Sequence, residues 1–346
     1  MPWQWISRMF NRELPETQNL ASVAKVNHDE SVYPIDEARS LLIQKTSNDL
    51  EQAFFCWLLN CTNTDLQNGS KELRDKEESI LKILDQDILG VDQLPRRPAS
   101  FPMLIKLLND ENTPSTEISR ILLSDPALAT QTLKTVNSPF FRISTDSIDS
   151  VDRAVFVLGC QGIRNIISAT VMKPMMKGKG SKESVFSKKV WEWALLSATA
   201  SDQYSNIQGH EPGPLYLLGL LPSLAYLVIY RSLLTYQSKH QALGEIEPLL
   251  VKSIIQKRSW KLCHEICQQW GLPPSSNKYL LDAERPSPTS AFAPLRDGIL
   301  MGSHKALQSF AYSPIDDISA FVLTNAPAKI DTKVAQHIEE RMNESV

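Results

Sequence analysis

From Phe101 to the C-terminus the chain shows almost no two-residue alternation of apolar and polar side chains. A half-buried strand needs that alternation, so strands are not expected there. Apolar residues recur instead at three- and four-residue spacing, and short polar gaps separate the runs. Helix packed on helix is the architecture such a pattern can bury. The expected fold class is all-α: a compact multi-helix bundle with a small N-terminal helical domain.

The gaps between the runs carry helix punctuation. Ser115 stands before Thr116, Glu117 and Ile118 and is expected to cap the helix of Ile118, Ile121 and Leu122. Asp125 followed by Pro126 pairs an N-cap acceptor with a proline at N1, where no amide hydrogen is needed. That helix carries Leu128, Leu133 and Val136 and is expected to end near Asn137-Ser138-Pro139. Ser150 is expected to cap a third helix with Ala154, Val155 and Leu158, stopped by a left-handed Gly159. A fourth starts near Gln161 and turns Ile163, Ile166, Ile167 and Val171 inward.

Upstream, Leu41, Leu42, Leu50, Phe54, Phe55, Leu58 and Leu59 also recur at helical spacing, and a polar loop at 60–70 precedes a charged helix at 73–84. Prolines 95 and 98 mark a boundary. In the first ten residues Trp3, Trp5, Ile6, Met9 and Phe10 occupy one arc of a helical projection. They form either a short helix folded back on its own domain or a docking segment or interfacial anchor. Membrane contact through that segment is the less favoured of these.

Bulk properties narrow the function. Hydrophobic residues make up 42% and charged residues 22% of the 346, which argues against a disordered or fibrous chain. A net charge of −3 gives no overall field for nucleic acid, and none is expected as a partner. Five cysteines without a secretory leader argue against a disulfide framework and for a cytoplasmic protein. The uncharged stretch 214–230 approaches membrane-span length, but Pro222 and Ser223 interrupt it, and it is read as buried helix.

In order and spacing, these signals resemble the HDOD family, the HD-related output domain of bacterial signalling proteins. The residues are Ser124-Asp125-Pro126-Ala127-Leu128, Val136-Asn137-Ser138, Ser150, Ala154-Val155, Leu158-Gly159 and Arg164-Asn165. Leu94-Pro95 lies before them; Trp191, Leu217 to Leu221 and Trp270-Gly271-Leu272-Pro273 lie after. The resemblance divides the chain into an N-terminal segment and linker (1–34), a small helical domain (35–91), an HDOD domain (92–285) and a C-terminal helical extension packed on it (286–346). Asp125, Ser150 and Gly159 read as structural. Asn137 is expected either to tie a helix end to a neighbouring turn or to touch a ligand or partner. Arg164 and Asn165 are expected in a first helical turn, in solvent or in an internal salt bridge, with anion binding the alternative.

The resemblance also implies what is missing. HD phosphohydrolases hold divalent metal with histidines and an aspartate. The paired His-Asp should fall at Pro222-Ser223, an earlier histidine near Trp193, and a later pair near Asp282-Ala283. Proline cannot bind metal, serine is a poor substitute for aspartate, Trp193 is bulky and apolar, and no histidine stands near Asp282-Ala283, so neither catalysis nor a cofactor or metal is expected. His28-Asp29 lies in a polar linker, and Cys263 and Cys267 read as buried cysteines on one helix face rather than zinc ligands. Lys173 to Lys189 reads as a basic, flexible loop, solvated or binding an acidic partner or a phosphodiester. The expected function is a regulatory module acting through protein–protein contacts, with signalling partners in cyclic-dinucleotide or two-component pathways. The alternatives are a small-nucleotide sensor using the vestigial cleft and a residual phosphohydrolase.

Overall fold

In the computed structural model of this chain, residues 49–67, 69–87, 98–110, 113–143, 146–207, 214–239, 245–285, 293–309 and 328–343 are described. The Trp3–Phe10 segment, His28-Asp29 and Leu94-Pro95 lie outside them. Among the described residues there is no strand. Helix α1 spans 49–59, and a 3-10 turn at Thr64–Leu66 leads to α2 (Lys71–Asp87). Then come α3 (Phe101–Asn109), α4 (Ser115–Leu123), α5 (Pro126–Val136) and α6 (Val151–Met172), with a 3-10 turn at Lys173–Met176. The long helices α7 (Ser181–Ile207), α8 (Leu215–Lys239) and α9 (Pro248–Trp270) follow, then α10 (Pro274–Glu284), α11 (Pro294–Ser309) and α12 (Ala328–Asn343).

The local signals act as their chemistry requires, with one exception. Asp125 Oδ1 accepts from the amides of Ala127 and Leu128, both at 3.0 Å, and Ser150 Oγ accepts from the Arg153 amide at 3.3 Å. Gly159 has φ 69° and ψ 175°, a positive φ that breaks α6 into two helices. Ser115 does not cap α4. The Pro114 carbonyl already accepts from the Glu117 and Ile118 amides, so Ser115 stands inside the first turn.

Helix α8 is the central rod. Every residue from Leu215 to Ile229 is buried, which makes it a core helix despite an apolar stretch long enough to span a membrane. The sequence suggested an interruption at Pro222-Ser223, but the helix runs through both. Pro222 has no amide hydrogen to give its own helix, a loss that tertiary packing tolerates here. Ser223 folds its hydroxyl back onto the Leu220 carbonyl at 2.5 Å.

The most extensive helix pair is α7 with α11, followed by α7 with α8. Small residues make this possible. A Cβ on Gly302 would lie 2.5 Å from the Ser197 amide nitrogen, and one on Gly298 would lie 2.4 Å from that of Ser201. Phe54, Phe55, Trp57 and Leu58 of α1 join the same hydrophobic cluster as the later helices. Lys252 of α9 meets Glu51 at 3.6 Å and Gln52 at 2.8 Å.

Candidate functional site

Of the positions that the HD resemblance singles out, Trp193 and the helix that bears Pro222 and Ser223 come together where α7, α8 and α11 meet α1. Trp193 of α7 is 1% exposed, and its indole N–H donates to Ser303 Oγ of α11 at 2.9 Å. Ser303 gives its own hydrogen to the Ile299 carbonyl at 2.7 Å, so its one donor is committed. Pro222 and Ser223 are buried in α8. Tyr226, one turn beyond Pro222, sets its ring 5.0 Å from Trp193, and Phe54 approaches from α1, also at 5.0 Å. Phe55 stacks on Tyr226 at 6.4 Å.

At the positions that the resemblance aligns with metal ligands the chain thus has an indole, a pyrrolidine ring and a hydroxyl committed to a carbonyl, none of them an imidazole or a carboxylate. Among the described residues, no group of three or more His, Cys, Asp or Glu is placed to hold a metal ion. Asp282 and Ala283 sit in α10, with Ala283 fully buried.

The other motif residues hold the fold together. Asn137 Nδ2 donates to the carbonyls of Leu133 and Ile148, and its Oδ1 accepts from the Ile148 amide, all at 2.8 Å. It pins the end of α5 to the segment entering α6. Ser138 Oγ bonds the Thr135 carbonyl at 2.6 Å. Leu158 is partly buried beside the core. Arg164, read from sequence as an opening-turn residue, is buried and reaches back to α3, bonding the Leu107 carbonyl at 2.9 Å and that of Asp110 at 3.0 Å. It closes the exposed carbonyls of a helix end, a use that leaves its donors turned away from any external anion.

Asn165 joins a polar cluster that sequence reasoning missed. Asp202 of α7 is buried and accepts from Gln161 Nε2 at 3.0 Å, Asn165 Nδ2 at 3.0 Å and Asn206 Nδ2 at 3.2 Å. Burial pushes its carboxyl above the usual range, and the three amides pull it part of the way back. The spacing of Gln161 and Asn165 on one helix face was visible; their partner, 37 residues beyond Asn165, was not.

Cys263 and Cys267 are both buried on α9, and burial raises both thiols, that of Cys267 to about 11. His264 turns instead to Glu284 at 3.0 Å. The basic segment differs from the flexible loop expected. Lys173 lies in the 3-10 turn, and Lys182, Lys188 and Lys189 are on α7; only 177–180 is loop. Lysines on the solvent face of an amphipathic helix have the composition of a loop.

This all-helical arrangement defines an HD-like helical fold. Residues 94–286 match the HDOD domain family, and the chain belongs to it. An uncharacterized protein of Treponema pallidum (strain Nichols) is 22% identical over 189 residues, 53% of this chain and 36% of that protein, so this chain spans little more than a third of the relative's length. The fold is similar to an HDOD domain protein of unknown function from Geobacter sulfurreducens, with TM-score 0.53, 17% identity, and 78% of this chain and 95% of that one covered. It is also similar to a protein of Shewanella amazonensis SB2B provisionally named a metal-dependent phosphohydrolase, with TM-score 0.52, 16% identity, and 79% of this chain and 100% of that one covered. HDOD membership and the all-helical fold fit a regulatory role.

Proposed function

We propose that this chain is a non-catalytic regulatory module of bacterial signal transduction, cytoplasmic, which acts by binding signalling proteins. The observation that carries this reading is the Trp193 cluster. Aromatic rings from α1, α7 and α8 and the Trp193–Ser303 hydrogen bond fill the interior around Trp193, a position that the resemblance aligns with a metal ligand, and this supports a non-catalytic reading. The same filling weighs against a small-nucleotide sensor in that cleft. A surface for partners is available on the first half of α6, where Phe156 is 87% exposed and Val157 beside it is exposed too. Exposed aromatics of this kind are typical anchors of protein interfaces.

The test has two arms. Purified protein is assayed for metal content and for phosphodiester and phosphomonoester hydrolysis in manganese, with no bound metal and no turnover expected. Stoichiometric bound metal together with turnover would overturn the proposal in favour of a residual phosphohydrolase. In the second arm, wild-type protein and Phe156→Asp are used as baits in lysate of the source cell. A defined signalling protein retained by the first and lost with the second is the expected result; identical retention by both removes α6 as the docking face.

A further inference from the structure

A second site lies on the other side of α7. The helix lifts Trp191 away from the Trp193 cluster, and Trp191 lines a cavity of about 570 Å³ between α5, the Lys173–Met176 turn and the first half of α7. Ligand pockets usually fall at roughly 300–1,000 Å³. We propose that this cavity binds a small phosphorylated ligand with a planar ring, of the nucleoside phosphate class. The site is separate from the vestigial cleft and independent of the reading given above.

Charge is the first argument. Lys134, Lys173, Lys177 and Lys188 all line the cavity, and no Asp or Glu does, in a chain whose net charge is −3. Lys134, Lys173 and Lys177 have no ion pair among the described residues, and Lys188 has only a 4.0 Å approach to Glu192. Four lysines with no carboxylate beside them on the lining give the cavity a positive field, which an anion bound there would neutralise. Lysines bind phosphate as point charges, whereas the planar fork of arginine, which reads carboxylates two-handedly, is absent from the lining.

The second argument is rigidity. The rim that carries Lys173 and Lys177 is tied down from below. Arg231 of α8 donates to the Met175 carbonyl at 3.1 Å and the Lys177 carbonyl at 2.7 Å, and is itself held by the buried carboxylate of Glu183. Ser187 Oγ bonds the Met176 carbonyl. Gly178 lies so close to α7 that a Cβ there would come within 2.5 Å of the Ser184 Cα. A site formed before its ligand arrives loses less affinity to ordering. Trp191 and Pro174 add an apolar wall, which a bare phosphate would leave unused and a nucleoside ring would cover.

The test uses the full chain and GDP carrying an N-methylanthraniloyl fluorophore, read by anisotropy, with unlabelled GDP, ADP, pyrophosphate and poly-L-glutamate as competitors. Saturable binding is expected, displaced better by GDP or ADP than by pyrophosphate. The double variant Lys173→Glu/Lys177→Glu, both positions exposed, should bind at least tenfold more weakly while keeping its thermal melt. Trp191→Leu should lose nucleotide affinity and leave pyrophosphate competition unchanged. Absence of saturable binding, or equal binding by the double lysine variant, overturns the proposal. So does displacement by poly-L-glutamate that matches GDP, which would make the cavity a seat for an acidic peptide.

Discussion

Trp193 and Ser303 meet across the α7–α11 interface, with the indole N–H donating to the serine hydroxyl at 2.9 Å and both residues buried. Truncating each should separate polar from packing contributions. Ser303→Ala leaves a buried indole donor without its acceptor and should cost about 1–3 kcal/mol. Trp193→Ala empties an aromatic-lined space and should cost about 3–5 kcal/mol. Urea unfolding of the three proteins checks both, and equal losses would mean that the hydrogen bond dominates.

Gly302→Ala should be destabilising although alanine favours helix. The new methyl would sit 2.5 Å from the Ser197 amide nitrogen, so α11 must move off α7. Overpacking of this kind costs about 1–3 kcal/mol, more than the roughly 1 kcal/mol of helix propensity gained. A Tm equal to or above wild type would show that the interface can widen freely.

Asn165→Asp places a second carboxylate against Asp202, which is already raised by burial. Two carboxylates that share one site cannot both ionise cheaply, so one of them must keep a proton. The folded variant therefore binds more protons than its unfolded chain, and its stability falls as pH rises above the ordinary carboxylate range. Melts at pH 4 and pH 8 should show a deficit relative to wild type that is much larger at pH 8. A deficit independent of pH would mean that the lost amide donor is the whole effect.

Glu51 gives a second pH signature. Burial pushes its carboxyl from 4.5 up to about 7, against the opposing pull of Lys252 and Gln256. Between those values the folded chain holds a proton that the unfolded chain has released. The stability it contributes is complete below pH 4.5 and is lost as pH rises through about 7. Glu51→Gln removes this loss, so its Tm should gain on wild type between pH 4.5 and 8 and converge below that range. A constant difference across the range would count against it.

Much of the fold was legible because its signals are local. Asp125, Ser150 and Gly159 act within three residues of themselves, and the structure places their caps and kink where the sequence put them. Ser115 misled because the adjacent Pro114 carbonyl starts the helix first. Trp193, Pro222 and Ser223 stood out by their order in the chain, as positions that the resemblance aligns with metal ligands. Their partners could not: Ser303 lies 110 residues from Trp193, and Phe54 approaches from a helix whose packing no local pattern encodes. Arg164 belongs to the same class, since its acceptors are carbonyls 57 and 54 residues upstream.

The approach of Gly298 and Gly302 to Ser201 and Ser197 also bears on how the protein breathes. A helix pair in near backbone contact has no side-chain layer to loosen, so it opens only when the whole domain unfolds. In native-state hydrogen exchange the middle of α7 and of α11 should therefore be the last amides to exchange, at the free energy of global unfolding. The first half of α6, beyond the Gly159 break and bearing the exposed Phe156, should exchange much earlier. A conformational signal passing through this molecule would then travel through its outer helices, around a centre that stays still.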